Sequence, residues 1–340
     1  MPTKEDLKQM QALPLSAKVE LSKQRIREWV DYAGIDKVHV SFSGGKDSEV
    51  VLHMVRQMYG NQIPGVFVNT GLEFPQIRQH VLRLKEEWGN IEVIQPELRF
   101  DQVIKQYGYP VFSKVVAQHI EDAKRGVPYA LNHLNGFETD GTKASEWLSS
   151  RYTIYKKYLD VDFNISQKCC RLIKERPLKE YEKRTDRRFP VIGTLAEEST
   201  RRTLGWLKVG CNMFNGSGVR SAPLSFWTEQ DILAYIDQNH LPLASVYGDL
   251  LKEEKTGKYT LSGRDRTGCI FCMFGVQVEE RRKGPNRFQQ LKETNPRQYA
   301  FCIGGGEYDE NGKWGPSYDE HGKCTGLGIG HVLDEIGVSY

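Results

Sequence analysis

A short glycine-containing loop between a strand-like and a helix-like segment constrains this chain more than any other feature. The loop is the hexapeptide Ser43, Gly44, Gly45, Lys46, Asp47, Ser48. Apolar residues precede it at 38–42 and follow it at 50–55, a pattern that predicts strand, turn and helix. Two glycines allow a sharp turn that points several N–H groups at one anion, and the start of the helix adds partial positive charge. The loop therefore predicts a phosphate-binding site, in which the Lys46 ammonium adds a full positive charge to the partial charge of the helix start.

This loop differs from the Walker A loop of kinases and GTPases. The Walker pattern requires a glycine five positions before the Gly-Lys pair, and this chain has Val40 there. The chemistry of Walker-type enzymes is therefore not predicted.

The segments that follow the loop predict a parallel sheet covered by helices on both faces. Strand-like stretches at 64–68, 91–95 and 189–194 alternate with helix-like stretches such as 76–88, and this alternation is typical of α/β proteins. Ligands of such sheets bind at the carboxyl ends of the strands. We therefore expect the hexapeptide loop and the turn at 69–74 to lie at one edge of the sheet.

The composition is that of an ordinary folded chain. Of 340 residues, 39% are hydrophobic and 27% charged, and the net charge of +3 is too small to indicate nucleic-acid binding by itself. No apolar run reaches the roughly 18 residues of a membrane helix, and residues 1–10 lack the apolar core of a signal peptide. We expect a cytoplasmic protein with no membrane partner.

Four of the seven cysteines form two close pairs. Cys169 and Cys170 are adjacent, while Cys269 and Cys272 form a C-x-x-C. In a reducing compartment such cysteines are metal ligands or reactive thiols more often than disulfide partners. Four thiolates at one site suit zinc or a [4Fe–4S] cluster, and a vicinal pair suits structural zinc less well than a second C-x-x-C would. The third interpretation is that the four cysteines bind no metal and only pack in the core.

The hexapeptide resembles the PP-loop of the ATP pyrophosphatase and phosphoadenosine phosphosulfate (PAPS) reductase superfamily. The segment 167–171 around the vicinal cysteines resembles the Cys-Cys segment of cluster-containing sulfonucleotide reductases, and 223–247 is similar to the run that leads into their second pair. The resemblance covers roughly 35–280, in the order of the family. It implies an adenine nucleotide alpha hydrolase-like α/β fold and a [4Fe–4S] cluster at the four cysteines, with zinc as the alternative.

The sequence pattern also predicts a division of the chain into three segments. These are an N-terminal helical segment at 1–34, a PP-loop nucleotide-binding domain at 35–260 and a C-terminal region at 261–340 with cysteines and a glycine-rich extension. A helical insertion is expected at about 100–166. Within the tail, the repeat Tyr-Asp-Glu-x-Gly-Lys from 308 and from 318 predicts two hairpin turns, with a calcium loop as the alternative.

The resemblance further implies the residues of the site. ATP with Mg²⁺ would bind at the loop, where Lys46 would stabilise the leaving pyrophosphate and Asp47 would position metal or water. Arg201 and Arg202 would face the acceptor, since guanidinium groups bind phosphate or sulfate in a bidentate manner. The remaining expected nucleotide-binding residues are Asn69, Thr70, Gly71, Glu73, Gly193 and Glu198. Many family members have Asp where this chain has Asn69.

The intact hexapeptide favours one of three functions. Family members that cleave ATP between the α- and β-phosphates keep all six residues, whereas reductases tend to lose the lysine or second glycine. We therefore expect an ATP pyrophosphatase that activates an acceptor for sulfur incorporation, as in nucleic-acid thiolation or DNA phosphorothioation. Its partners would be an adenine nucleotide, a nucleic-acid acceptor, a cysteine desulfurase as sulfur donor and a second copy of the chain in a homo-oligomer.

Two alternatives remain open. One is a sulfonucleotide reductase that releases sulfite with thioredoxin as electron donor, with Cys324 near the C-terminus as its nucleophile. The other is a non-catalytic nucleotide-binding module in which zinc only holds the fold.

Overall fold

The computed structural model describes residues 2–216, 218–281 and 284–340. The chain divides into two compact units, each drawn from separated stretches. Unit 1 comprises Met1–Asn69, Glu73–Gln95 and Pro177–Gly268, and unit 2 comprises Thr70–Leu72, Pro96–Arg176 and Cys269–Tyr340. These units differ from the three consecutive segments expected from the sequence.

The elements are numbered along the chain. The strands are β1 (Val38–Ser41), β2 (Gly65–Val68), β3 (Ile91–Ile94), β4 (Val111–Phe112), β5 (Phe189–Ile192), β6 (Asn212–Met213), β7 (Arg220–Ser221), β8 (Leu250–Lys252), β9 (Tyr259–Leu261), β10 (Met273–Phe274), β11 (Glu307–Tyr308), β12 (Trp314–Gly315), β13 (Ser317–Tyr318) and β14 (Cys324–Gly326). The α-helices are α1 (Lys4–Gln11), α2 (Leu15–Ala33), α3 (Lys46–Tyr59), α4 (Pro75–Trp88), α5 (Phe100–Tyr107), α6 (Lys114–Lys124), α7 (Pro128–Leu134), α8 (Glu146–Tyr152), α9 (Lys168–Cys170), α10 (Arg176–Thr185), α11 (Thr200–Val209), α12 (Glu229–Gln238), α13 (Val276–Glu280), α14 (Arg287–Thr294), α15 (Pro296–Ile303) and α16 (Ile329–Glu335).

Unit 1 is built on a mostly parallel sheet. Within the described ranges its six strands lie in the order β3-β2-β1-β5-β7-β6, and β6 runs antiparallel to β7. Val40 of β1 pairs with Gly65 on one side and Val191 on the other. The order therefore reverses at β1, and the carboxyl ends of β1 and β5 form the switch point at which such sheets bind ligands. The predicted α/β fold with a parallel sheet is confirmed.

The core of unit 1 includes the N-terminal helix α2. Ile26 and Trp29 of this helix are fully buried, in the same apolar cluster as the β1 and α3 side chains. The ammonium of Lys18, 2% exposed, lies 2.6 Å from an Asp231 carboxylate oxygen. Ser22 Oγ donates to the Pro223 carbonyl and accepts from the Trp227 indole N–H. Because buried polar groups need such partners, α2 is an integral part of unit 1.

Unit 2 contains the predicted helical insertion and the glycine-rich tail. Helices α5 to α8 lie within the insertion, where Tyr152 and Leu134 are buried in a small apolar cluster. In the tail, β11 pairs with β12 and β13 with β14, both antiparallel. The Asp309 N–H donates to the Lys313 carbonyl, and the Asp319 N–H to that of Lys323, which confirms the two predicted hairpin turns.

The described part of the chain contains no helix that is both long and apolar enough to cross a membrane.

Candidate functional site

The hexapeptide follows β1, and its last three residues form the first turn of α3, in the predicted order of strand, turn and helix. Gly44 adopts a positive φ of +72°, and a Cβ atom at this residue would lie 2.5 Å from a Val81 methyl and 2.9 Å from an Ile77 methyl of α4. Both the left-handed conformation and the packing of α4 therefore require glycine here. Gly44 shapes the loop and is not among the residues that line the pocket described below.

A second glycine brings the end of β5 against the loop. A Cβ atom at Gly193 would lie 2.6 Å from the Asp47 carbonyl oxygen and 2.7 Å from Ser48 Cα. Since these are backbone atoms at the start of a helix, they cannot move aside cheaply. Gly193 therefore sets the close approach of the two strand ends at the switch point.

The loop borders a cavity of about 190 Å³ in unit 1. Eight residues expected from the sequence line it: Ser43, Gly45, Lys46, Asp47, Ser48, Gly193, Glu198 and Arg202. Further lining residues are Leu195, Glu197, Glu229, Tyr247, Arg266 and Thr267. The structure thus brings the loop, the segment after β5 and the start of α12 to one pocket.

Other expected residues lie elsewhere. Arg201 is exposed and, like Asn69 and Glu73, is not among the described lining residues of this pocket. Thr70 and Gly71 belong to unit 2. Of the two arginines, Arg202 lines the pocket, where it forms an ion pair with Glu198.

The Lys46 ammonium is buried among oxygen atoms. It donates to the Asp265 carbonyl at 2.9 Å and lies 3.2 Å from a Glu229 oxygen and 3.8 Å from Asp47 Oδ1. Burial acts to lower the pKa of Lys46, but the carboxylates of Asp47 and Glu229 outweigh it and raise the pKa above its usual value. Lys46 therefore carries its full positive charge at neutral pH.

The Asp47 carboxyl lies beside this ammonium, but burial disfavours its charged form. Its Oδ1 atom is buried and has no hydrogen-bond partner among the described residues. Burial raises the pKa of Asp47 to about 6; Lys46 acts against this rise, and the nearby Glu198 and Glu229 add to it. An orphaned, partly desolvated carboxylate oxygen is a ready ligand for a cation.

The described lining residues carry charges of both signs. The cations are Lys46, Arg202 and Arg266, and the carboxylates are Asp47, Glu197, Glu198 and Glu229. Such a mixture can bind an anion together with a divalent cation. Glu229, Tyr247, Arg266 and Thr267 were missed as binding residues, because they lie 180 or more positions from the loop in sequence and carry no local motif of their own.

The four paired cysteines line one small cavity in unit 2. Cys169 and Cys170 end α9, and a π-helical turn follows at Arg171–Glu175; such turns are frequent at functional sites. The cavity, of about 10 Å³, has as lining residues Leu72, Phe100, Pro110, Cys169, Cys170, Ile173, Lys174, Cys269, Cys272 and Phe274. All seven cysteines lie in the described ranges, and none forms a disulfide.

The four cysteine sulfurs are donors of the type that binds zinc or iron, but in the described structure they do not stand at ligand spacing. Burial raises the pKa of the Cys169 and Cys272 thiols. Within the described ranges, no group of three or more His, Cys, Asp or Glu side chains is spaced to hold a metal ion. Four sulfur donors at one cavity are nevertheless the ligand set of zinc and of iron–sulfur clusters.

The C-x-x-C turn has an additional support that the sequence did not reveal. Arg287 donates a hydrogen bond from Nη1 to the Cys272 carbonyl at 2.9 Å, and its guanidinium forms an ion pair with Glu279. This arginine fixes the backbone at the second cysteine of the turn.

Cys324, the candidate nucleophile of the reductase alternative, lies in strand β14. Its thiol donates to the Gly326 carbonyl at 3.5 Å, and partial burial raises its pKa above the usual thiol value. A raised pKa lowers the thiolate fraction that nucleophilic attack requires.

The fold is that of an α/β protein with a charged pocket at the switch point of its sheet, and comparison with known proteins identifies its family. The model of the phosphoadenosine phosphosulfate reductase domain matches residues 37–129 and 129–272. The chain therefore belongs to the PAPS reductase family, as the motifs predict.

Individual relatives are more distant. Over 76 residues the chain is 41% identical to an uncharacterized protein of Methanocaldococcus jannaschii, a stretch that spans 22% of this chain and 15% of that protein. The solved structure of phosphoadenylyl-sulfate reductase from Candida auris, a phosphate complex, matches 72% of this chain and 91% of its own with 13% identity and a TM-score of 0.38.

Proposed function

We propose that unit 1 binds Mg·ATP and cleaves it between the α- and β-phosphates, giving AMP and pyrophosphate. The observation that carries the proposal is the buried Asp47 Oδ1, which lies near the Lys46 ammonium but accepts no hydrogen bond from a described residue, in a pocket whose described lining has four carboxylates and three cations. The loop at 43–48 supplies the phosphate-binding turn at the switch point of the sheet.

The mixed charge supports a metal-bound polyphosphate over a bare anion. Charges a few ångströms apart interact strongly in a partly desolvated pocket, so four carboxylates would repel a nucleotide that brings negative charge alone. Mg²⁺ is usually bound by one or two carboxylates together with substrate phosphates. A complex of ATP with Mg²⁺ therefore matches the pocket, whereas a sulfonucleotide without β- and γ-phosphates matches it less well.

The side chains have distinct roles in the proposed cleavage. The nucleophile, which is the acceptor or, when no acceptor is present, water, forms a bond to the α-phosphorus. The bond from that phosphorus to the bridging oxygen breaks, and its electron pair leaves on pyrophosphate. Attack by water gives AMP directly, whereas an adenylated acceptor releases AMP when the incoming sulfur nucleophile displaces it. Lys46, ionised and at the helix start, stabilises the charge on this leaving group. Asp47 would hold Mg²⁺ through Oδ1, and Arg202 would offer donors to the α-phosphate or acceptor.

The four cysteines support a second element of the proposal. Cys169, Cys170, Cys269 and Cys272 would hold a [4Fe–4S] cluster, with zinc as the alternative, because they place four soft donors at one cavity. A cluster supplies electrons or a site for sulfur. The nucleic-acid acceptor and the cysteine desulfurase remain predictions from the family resemblance.

Pyrophosphate release tests the proposal. Protein purified without oxygen is incubated with ATP and Mg²⁺, and AMP, pyrophosphate, iron and acid-labile sulfide are measured. We expect AMP and pyrophosphate in equal amounts, and a loss of at least about a hundredfold in Lys46→Ala, as for removal of one preorganised charge stabiliser. The matched control is Lys85→Ala on the exposed face of α4, which should retain the wild-type rate.

Two results would contradict the proposal. Release of sulfite from adenylyl sulfate without pyrophosphate release from ATP would establish the reductase instead. Zinc in place of iron and sulfide, with no turnover of any nucleotide, would favour the non-catalytic module.

A further inference from the structure

Several hydrogen-bond donors of the hexapeptide loop are already bonded to acceptors of the protein itself. Lys46 N–H donates to the Tyr247 hydroxyl at 3.3 Å, and Lys46 Nζ donates to the Asp265 carbonyl at 2.9 Å. Ser43 N–H donates to Ser48 Oγ at 3.1 Å. In a loaded loop of this kind, phosphate oxygens accept from the backbone N–H groups at the helix start. Two of the acceptors present here come from a distant stretch of the chain.

The Tyr247 hydroxyl lies directly on the loop backbone. A Cβ atom at Gly45 would lie 3.2 Å from this oxygen, and the tyrosine is only 2% exposed. The hydroxyl has a second partner, Thr267 Oγ1, at 2.9 Å. Since it accepts from Lys46 N–H, it can donate to the threonine, so both of its hydrogen-bonding capacities are used, as a buried hydroxyl requires.

Residues 245–267, which we call the strap, run from the turn that contains Tyr247 through the β8–β9 hairpin to Thr267. The two ends of the strap are bonded to each other. Gly263 N–H donates to the Tyr247 carbonyl at 2.9 Å, and Arg264 N–H donates to the Val246 carbonyl at 3.0 Å. These bonds join the segment that contains Tyr247 to the segment that contains Asp265 and Thr267.

The hairpin within the strap is fixed to α12. The backbone N–H of Tyr259 in β9 donates to the side-chain oxygen of Gln230 at 2.8 Å, and the side-chain nitrogen of Gln230 donates to the Tyr259 carbonyl at 2.9 Å. The Tyr259 hydroxyl donates to Asp237. The strap is therefore anchored at its hairpin, while Tyr247 and Asp265 reach the loop.

We infer that the strap is a closing device for the phosphate site, in which the Tyr247 hydroxyl stands in for a phosphate oxygen until a di- or triphosphate displaces it. A phosphate oxygen that takes the Lys46 N–H must move the hydroxyl away, and the backbone bonded to Tyr247 moves with it. This inference rests on the proposed function, because it requires that the loop binds a polyphosphate.

The direction of the effect follows from the hydrogen bonds exchanged. In the wild type, binding replaces the bond between Lys46 N–H and Tyr247, whereas in Tyr247→Phe no such bond is lost. One neutral hydrogen bond corresponds to about a three- to tenfold change in affinity. If the hydroxyl were instead an ordinary ligand of the bound phosphate, its removal would weaken binding by a similar factor.

Calorimetric titration with inorganic pyrophosphate and Mg²⁺ tests the inference. We expect Tyr247→Phe to bind about three- to tenfold more tightly than the wild type. Tyr235→Phe is the matched control, because it removes a hydroxyl that contacts His53 in the same unit and does not contact the loop; its affinity should stay at the wild-type value. If the wild type binds pyrophosphate and Tyr247→Phe binds it equally or more weakly, the inference that the strap is displaced is wrong, whereas the proposed function stands. Absence of binding in both proteins overturns both.

Hydrogen exchange on the unmodified chain gives a second measurement that depends on no variant. Pyrophosphate binding should accelerate exchange of the Gly263 and Arg264 amides, because a strap that has lost its hydrogen bond to the loop opens locally more often. Slower exchange at these amides on binding would mean that the strap tightens on the ligand, and would refute the inference.

Discussion

Replacing Asp47 by Asn should make the protein more stable while it loses Mg²⁺-dependent nucleotide binding. Burial holds the pKa of this carboxyl at about 6, against an ordinary value of 3.8. A pKa difference of this size corresponds to about 3 kcal/mol between the two protonation states. Because the side chain remains 24% exposed, we expect a gain of about 1 to 3 kcal/mol for the neutral amide at pH 8.

The pH dependence has a definite sign. Since the folded-state pKa is raised, the folded protein retains the Asp47 proton at pH values where the unfolded chain has lost it. Wild-type stability therefore falls as pH rises from about 4 to about 6, and the advantage of Asp47→Asn grows over the same window. Below about pH 4 both states of the wild type are protonated, and the advantage should vanish.

Urea unfolding at pH 4, 6 and 8, followed by the fluorescence of buried tryptophans such as Trp29 and Trp227, measures this difference. Asp36→Asn, at an exposed position of unit 1, is the matched control and should change nothing. Titration with Mg·ATP should show binding lost in Asp47→Asn alone. A variant that is less stable than the wild type at pH 8 would refute the reasoning, because the ionised carboxylate would then contribute a stabilising contact.

Two further predictions concern single side chains. Gly193→Ala should lower stability by about 1 to 3 kcal/mol and weaken nucleotide binding, because its Cβ would lie 2.6 Å from the Asp47 carbonyl oxygen. Thermal unfolding and nucleotide titration measure both effects, with Gly205→Ala as the control, since a Cβ at Gly205 meets no neighbouring element within 4 Å. Wild-type stability and binding in Gly193→Ala would show that the end of β5 can move away from the loop. Cys324→Ser should leave pyrophosphate release unchanged, because this partly buried thiol has a raised pKa; loss of sulfite release from adenylyl sulfate in this variant would instead support the reductase.

The loop and its sheet could be predicted because the signals are local. The hexapeptide at 43–48 and the strands at 38–41 and 65–68 lie within a residue or two of their expected positions, since apolar runs and glycine turns carry their own information. Gly193 and Glu198 reach the pocket because they follow β5, the neighbour of β1.

The rest of the pocket depends on contacts between distant parts of the chain. Tyr247 and Arg266 reach the loop only through the strap, and no periodicity or motif near them specifies which strand end they approach. The same holds for Arg201 and Arg202, which looked equivalent in sequence. Helical geometry separates adjacent residues on α11 by about 100°, so only Arg202 lines the pocket.

Helix α2 shows that sequence similarity and the folding unit begin at different places. The family match starts at residue 37, yet Trp29 and Ile26 fill the core beneath the sheet and Lys18 neutralises Asp231, which also caps α12 through Thr228. A fragment cut at the start of the match would leave a hydrophobic face exposed and would remove the counterion of the partly buried Asp231 carboxylate. Expression of unit 1, and any grafting of it onto another protein, therefore has to include α2.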